Sequence, residues 1–109
     1  MFCFFISPGK FVKISCSNGW LVWLRRLDGS VSFNRPWASY KEGFGDADGE
    51  FWLGLEMLHT LTSNDHYKLR VEMSDWNGFF YQADYNSFEI GPESGNYRLT
   101  CEFDIISFI

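Results

Sequence analysis

Three groups of residues in this chain have side chains of the types that bind metals or undergo redox chemistry. The segment Asp46-Ala47-Asp48-Gly49-Glu50 resembles the opening of an EF-hand calcium loop. No Glu occupies the twelfth loop position, however, and no incoming helix of useful length precedes the segment. The pattern therefore favours an acidic turn, whose carboxylates would complement the dipole of a following helix.

The histidines and cysteines are too sparse to define a site. His59 and His66 could form half of a metal site, but neither has a carboxylate or thiol at ligand spacing beside it. Among the cysteines, Cys3 and Cys16 are a candidate disulfide, which would close a short loop and contribute about 3 kcal/mol. Free thiols buried as small apolar groups are the alternative, and Cys101 remains as an odd third cysteine.

Neither catalysis nor nucleic-acid binding is expected from the rest of the sequence. The chain lacks a G-x-S-x-G elbow, an H-E-x-x-H pair, a glycine-rich phosphate loop and a C-x-x-C motif, so we assign no catalytic, cofactor-binding or metal-binding residue and predict no enzyme. The net charge of −5 argues against a phosphate-binding surface. No apolar run reaches the roughly 20 residues of a membrane span.

The elements that would carry any site follow from periodicity and turn residues. Aromatic residues make up 20% of the 109 residues, which predicts one domain with a dense aromatic core. Asp28-Gly29 predicts a hairpin, and Asn34 is the expected cap of the first helix. The predicted strands are 11–16, 20–26, 31–33, 67–73, 79–85, 88–90 and 97–103, and the predicted helices are 37–42 and 53–61. Large side chains on both faces of residues 20–26 predict a central strand. The fold class is α+β, with a twisted antiparallel sheet and two short helices.

The order of aromatic and glycine residues resembles the N-terminal half of a fibrinogen C-terminal-like domain, as found in fibrinogen chains, ficolins, angiopoietins, tenascins and tachylectins. The similarity covers about residues 11–100 of a partial domain spanning 1–109, with 101–109 as a tail outside the family pattern. The matching residues include Gly19-Trp20, Asp28-Gly29-Ser30-Val31, Phe33-Asn34-Arg35-Pro36-Trp37, Gly43-Phe44-Gly45, Gly49-Glu50-Phe51-Trp52-Leu53-Gly54, Leu69-Arg70-Val71 and Tyr97-Arg98-Leu99.

This resemblance implies a fragment of a secreted, extracellular, lectin-like recognition domain of the kind used in innate immunity. In the family, the calcium site, the second disulfide and the pocket for carbohydrate or protein ligands lie beyond the position of Thr100, so no cofactor and no binding residue is carried over. Cys16 corresponds to the second cysteine of the family's first disulfide. The alternative function is a structural or protein-interaction remnant without ligand binding. An exposed sheet edge near residues 97–103 predicts marginal stability or self-association.

Overall fold

The computed structural model describes the backbone of residues 2–7, 10–17 and 20–108, and the side chains of residues 20–102. The chain divides into two compact units, Met1–Thr60 and Leu61–Ile109. Helix α2, which spans Leu55–Asn64, crosses the boundary between them. Two helices and antiparallel sheets confirm the predicted α+β class.

The first unit contains two antiparallel sheets of three strands each, with strand orders β1-β2-β3 and β4-β6-β5. Helix α1 lies between strands β4 and β5 in the chain. The bounds are β1 Phe2–Ser7, β2 Lys10–Ser17, β3 Trp20–Val22, β4 Leu24–Arg25, α1 Trp37–Glu42, β5 Phe44–Gly45 and β6 Phe51–Trp52.

The second unit contains one antiparallel sheet in the order β7-β8-β9, where β7 is Tyr67–Ser74, β8 is Phe80–Ile90 and β9 is Leu99–Phe108. A single 3-10 turn, Glu93–Gly95, lies between β8 and β9. Strand β8 runs on through Asn86 and Ser87, so the separate strands predicted at 79–85 and 88–90 are wrong. The sequence break corresponds instead to a shift in the register of β8 against β9 on both sides of Tyr85.

Each unit buries a small set of apolar side chains. Phe51 and Leu58 are buried in the first unit, and Leu61, Phe88, Ile90 and Tyr97 are buried in the second. The hydroxyl of buried Thr62 accepts a hydrogen bond of 3.0 Å from the backbone amide of Ile90. This bond ties the end of α2 to the end of β8 and satisfies a polar group that burial would otherwise penalise.

Several of the secondary-structure predictions for the first unit are wrong. Residues 20–26 do not form one central strand, because the chain leaves one sheet after Val22 and enters the other at Leu24. The carbonyl of Trp23, between them, accepts a hydrogen bond of 2.9 Å from the amide of Leu53. Both short strands lie at the edges of their sheets, as the described residues define them.

The predicted hairpin after Asp28-Gly29 is also wrong, because residues 31–33 form no strand. Asn34 does not cap α1. The residue preceding the helix is Pro36, whose carbonyl accepts a hydrogen bond of 3.1 Å from the amide of Ser39, and no side chain caps this end. The second helix begins at Leu55, two residues later than predicted. The last strand begins at Leu99, since Asn96 and Tyr97 have φ angles of 60° and 51°.

Candidate functional site

The carboxylate of Glu50 organises the loop that follows β4. Its Oε2 accepts hydrogen bonds from the amides of Leu27, Asp28 and Gly29 at 2.7, 3.0 and 3.0 Å, and its Oε1 accepts one from Val31 at 2.9 Å. The Glu50 side chain is 1% exposed. The amide of Val31, followed by those of Leu27 and Gly29, lowers the pKa of Glu50 to about 2. The buried charge is therefore stabilised by backbone dipoles.

The acidic turn is a structural feature of the first unit. The amide of Gly49 donates to the carbonyl of Asp46 at 2.8 Å, and the amide of Asp48 donates to Asp46 Oδ1 at 2.9 Å. Glu50 lies against the loop of residues 27–31, and β6 directly follows it, so the expectation that its carboxylate complements a helix dipole is wrong. Within the part of the chain that the structure describes, no three His, Cys, Asp or Glu residues are grouped to hold a metal ion.

The two adjacent arginines have different partners. Arg25 donates to the carbonyls of Ala47 and Gly49 at 2.9 and 3.2 Å, so it holds the acidic turn from one side. Arg26 donates to the carbonyl of Val31 at 3.0 Å and lies 3.6 Å from Glu50 Oε1. Arg25 is the last residue of β4 and Arg26 follows it, so the two side chains bond to different segments of the first unit.

An aromatic cluster joins α1 to strands β5 and β6. Edge-to-face contacts connect Phe33 to Phe44, Phe44 to Tyr40, and Tyr40 to Trp52, with ring centroids 4.8, 5.1 and 5.2 Å apart. The indole of Trp52 donates to the carbonyl of Tyr40 at 2.9 Å, and the Tyr40 hydroxyl donates to the carbonyl of Phe33. The polar groups of both rings therefore bond to the backbone, which fixes the rings in place between α1 and the two strands.

Arg70 and Asp84 form a bidentate ion pair across β7 and β8. The two nitrogen–oxygen distances are 2.8 and 3.1 Å, and Gln82 donates to the same carboxylate at 3.2 Å. The hydrogen bond from Arg70 lowers the pKa of Asp84, and the same bond raises the pKa of Arg70. The Arg70 side chain is half-buried, and its charge is paired with a carboxylate on the neighbouring strand.

The turn between β7 and β8 presents apolar side chains to solvent. Trp76 is 103% exposed, Phe79 is 62% exposed and Met73 is 52% exposed. Asp75 Oδ1 accepts hydrogen bonds from the amides of Asn77 and Phe79 at 2.9 and 3.0 Å. The Tyr81 hydroxyl donates to the other carboxylate oxygen at 3.2 Å, so the Asp75 side chain holds this turn together.

The second unit also has an open, polar cavity of about 410 Å³ at the end of α2. His66, Asp65, Glu89 and Thr100 are among its lining residues, and none of the four is buried. His59 lies on α2 and is not among the lining residues. The cavity brings together no arrangement that resembles a nucleophile with its base.

The candidate disulfide between Cys3 and Cys16 falls outside the residues whose side chains are described. The two cysteines lie on the paired strands β1 and β2. Their pairing stays a prediction. Cys101, on β9, is an exposed free cysteine.

Sequence reasoning missed the two residues that organise the loops, Glu50 and Asp75. The partners of Glu50 are 19 to 23 residues away in sequence, so no local pattern indicates them. Asp75 does carry a local signal, because an Asp two residues before an Asn-Gly turn can accept bonds from the following amides.

Among the described residues, no helix combines the length and apolarity needed to cross a bilayer.

Comparison with known proteins agrees with this architecture. The family model described as "Fibrinogen beta and gamma chains, C-terminal globular domain" matches residues 11–104. Human angiopoietin-related protein 2 is 56% identical over 98 residues, which are 85% of this chain and 20% of that protein. The fibrinogen gamma chain of Petromyzon marinus is 47% identical over 107 residues, covering 88% of this chain and 25% of that protein.

Two solved structures show the same fold. The fibrinogen-like globe domain of human ANGPTL2 superposes with a TM-score of 0.91 at 40% identity, over 100% of this chain and 53% of that one. The lamprey fibrin D-dimer, complexed with the peptide ligand Gly-His-Arg-Pro-amide, superposes with a TM-score of 0.79 at 41% identity. The superposition covers 89% of this chain and 32% of that one. This chain spans about a fifth to a quarter of the length of the full-length relatives above. It belongs to the fibrinogen C-terminal domain family.

Proposed function

We propose that this chain is the framework part of a secreted, extracellular, non-catalytic recognition domain whose full-length form binds a carbohydrate or protein ligand. The observation that carries the proposal is the superposition of the whole chain on a fibrinogen-like globe at a TM-score of 0.91. A known relative, the lamprey fibrin D-dimer, was solved with a bound peptide, which supports a recognition role for domains of this type.

The use of polar side chains in the first unit supports a framework role. Glu50 bonds to four backbone amides, Arg25 to two carbonyls, and the Trp52 indole to one more. Groups that could recognise a ligand are therefore engaged in holding loops together. The absence of a recognisable catalytic motif in the sequence supports a non-enzymatic role.

We place the ligand pocket and the family's calcium site outside the residues of this chain. The chain covers 53% of the ANGPTL2 globe, which leaves room for both in the remainder of such a domain. More specifically, we propose that the full-length domain binds acetylated sugars as a lectin does and acts in innate immunity.

The test is calcium-dependent retention on a resin carrying acetyl groups. This chain is compared with a version extended after Thr100 by the remaining residues of the ANGPTL2 globe. We expect the extended protein to be retained with calcium and released by a chelator, and this chain to flow through. Retention of this chain would contradict our placement of the site. Failure of the extended protein as well would contradict acetyl-group recognition.

A structural or protein-interaction role without ligand binding is the second candidate. Strand β9 pairs only with β8 among the described residues, so its other side offers unpaired backbone groups. Leu99, at the start of this strand, is 55% exposed. If this edge binds a partner strand, Leu99→Lys should reduce association while Lys68→Ala, at an exposed position of β7, should not.

A further inference from the structure

We propose that Asn77, in the turn between β7 and β8, is a site of spontaneous deamidation, and that the side chain of Asp75 controls the rate of the reaction. Asn77 is followed by Gly78, and solvent reaches both residues. The turn itself holds the pair in a closed shape that does not react. The modification needs only water as a co-reactant and does not depend on the proposed recognition function.

The groups that would react are accessible. Asn77 is exposed, and among the described residues nothing bonds to its side-chain amide, since its one hydrogen bond is made by the backbone. Gly78 has a φ of +85°, and a Cβ built there would meet no atom within 4 Å. Because glycine has no Cβ and a permissive backbone, its amide nitrogen can approach the preceding side chain with little steric hindrance.

The reaction joins the two residues through a succinimide ring. The Gly78 amide loses its proton to solvent, and its nitrogen attacks the Cγ atom of Asn77. The new N–Cγ bond forms as the Cγ–Nδ2 bond breaks, and ammonia leaves after taking up a proton from water. Water then opens the ring at either of its carbonyls, which gives aspartate or isoaspartate. Isoaspartate lengthens the main chain by one methylene group, and both products add a carboxylate beside Asp75.

The closed turn keeps the attacking nitrogen engaged. The Gly78 amide donates a hydrogen bond of 3.1 Å to the carbonyl of Asp75. The amides of Asn77 and Phe79 donate to Asp75 Oδ1 at 2.9 and 3.0 Å, and the Tyr81 hydroxyl donates to Oδ2 at 3.2 Å. The Gly78 N–H therefore points at a backbone carbonyl and not at the Asn77 side chain, so the turn has to open before the nitrogen can attack.

Opening this turn leaves the strands on both sides of it paired. Ser74 opposite Phe80 is the last pair of the ladder before the turn, and the bonds to the Asp75 side chain are all exposed to water. Water replaces exposed hydrogen bonds at little cost, and a local opening costs far less free energy than global unfolding. When opening and closing are fast, the rate of a reaction of the open state follows the population of that state. Asp75 controls the rate of deamidation because it sets that population.

Peptide mapping of the full chain by mass spectrometry measures the reaction at each asparagine. After incubation at neutral pH, trypsin releases residues 71–98 as one peptide, which contains Asn77, Asn86 and Asn96. Asn86 lies inside β8, and Asn96 precedes the buried Tyr97, so both are internal controls. We expect the mass difference between a hydroxyl and an amino group to appear first at Asn77, in two chromatographic forms. Deamidation of Asn86 or Asn96 as fast as that of Asn77 would overturn the proposal.

Two variants of Asp75 test its control of the rate. Asp75→Ala loses the acceptor of both amides and should deamidate at least about fivefold faster, the factor that one lost hydrogen bond would give. Asp75→Asn keeps a side-chain oxygen that can accept from the same amides and should react at nearly the rate of the unaltered chain.

The unaltered chain unfolded in guanidinium chloride gives the rate without a turn, and this arm does not require any variant to fold. We expect Asn77 to react faster there than in the folded chain. Equal rates at Asn77 in the folded and unfolded chains, or equal rates in folded Asp75→Ala and Asp75→Asn, would overturn control by the turn. Asn77→Gln should give no product at this position, because its longer side chain would have to close a larger ring.

Discussion

At the scale of single residues, the first unit depends on a buried carboxylate that bonds mainly to backbone amides. Glu50 accepts four amide hydrogen bonds, and Arg26 lies 3.6 Å from its Oε1. Hydrogen bonds to a charged acceptor are stronger than those between neutral groups, and a buried charge without them is strongly disfavoured. The conformation of the loop at residues 27–31 is therefore set by Glu50, which comes after α1 in the sequence.

We predict that Glu50→Gln destabilises the chain at neutral pH, although the two side chains have nearly the same shape. The amide places an NH2 group where the backbone already supplies donors, so hydrogen bonds to at least one oxygen position are lost. The measurement is the urea midpoint of the first unit followed by tryptophan fluorescence. Glu102→Gln, at an exposed position of β9, is the matched control and should leave the midpoint nearly unchanged. Equal midpoints for the two variants would show that the loop does not need the charge.

The pKa of Glu50 gives a pH dependence with a definite sign. The folded value is about 2 and the ordinary value is 4.5, so the folded state binds the proton less tightly than the unfolded state. The resulting stabilisation is fully present above pH 4.5 and is lost as the pH falls from 4.5 towards 2. We expect the difference in stability between the unaltered chain and Glu50→Gln to shrink over that interval. A difference that stays constant down to pH 2.5 would assign the effect to packing.

At the scale of elements, the sequence predicts those helices and strands whose pattern lies within a few neighbouring residues. Strand β7 follows from strict alternation, and α1 follows from a short run between Pro36 and Gly43. The hairpin after Asp28-Gly29 was wrong because the distant Glu50 takes up the amides that a return strand would have needed. The break at Trp23 was missed for the same reason, since the partner of its carbonyl is Leu53. Contacts between residues far apart in sequence override local propensity, and no short window contains them.

The end of α1 lies too close to the segment after β6 for a side chain at Gly43. A Cβ there would lie 2.2 Å from the carbonyl oxygen of Leu53, and the φ of +98° disfavours any other residue. We predict that Gly43→Ala costs about 3 kcal/mol, from strain in the backbone and from the clash. Gly29→Ala is the control, because φ there is +78° but no atom lies within 4 Å. It should cost only about 1 kcal/mol. Equal losses of unfolding free energy in the two variants, measured by chemical denaturation, would show that the backbone near Leu53 moves away from a side chain at residue 43 without cost.

Strands β1 and β2 pair with Cys3 opposite Ile14, so Cys3 and Cys16 occupy diagonal positions of the sheet, and counting thiols tests whether they are bridged. If Cys3 and Cys16 are bridged, the unfolded chain should react with one equivalent of a thiol reagent, at Cys101, and with three after reduction. Reduction should then cost about 3 kcal/mol of stability. The variant Cys101→Ser removes the remaining thiol and separates the bridge from intermolecular exchange. Three reactive thiols in the unreduced, unfolded chain would instead support the free thiols that the sequence left as the alternative.

At the scale of the whole molecule, both units expose large apolar side chains among the residues whose side chains are described. They are Leu24, Leu27 and Trp37 in the first unit, and Met73, Trp76, Phe79 and Leu99 in the second. Strand β9 has a strand on one side only among the described residues. In a structure that matches about half of a known globe, such surface is the kind that the remainder of a domain would cover. The sequence predicts an exposed sheet edge near residues 97–103, and β9 begins within that range at Leu99. The sequence does not predict the exposure of Trp76, because an exposed Trp cannot be distinguished from a buried one by pattern alone.

We therefore predict that this chain by itself has a low thermal midpoint and associates as it unfolds, and that extension after Thr100 by the remainder of the ANGPTL2 globe raises the midpoint. The physical reason is the larger fraction of apolar surface that a longer chain buries. Differential scanning calorimetry at several concentrations is the measurement. Leu99→Lys should reduce the association of this chain, because a charge at the edge opposes strand pairing, and should have little effect in the extended protein if the edge is covered. A sharp, concentration-independent and monomeric transition of this chain would show that its two units already bury enough surface to be stable without further residues.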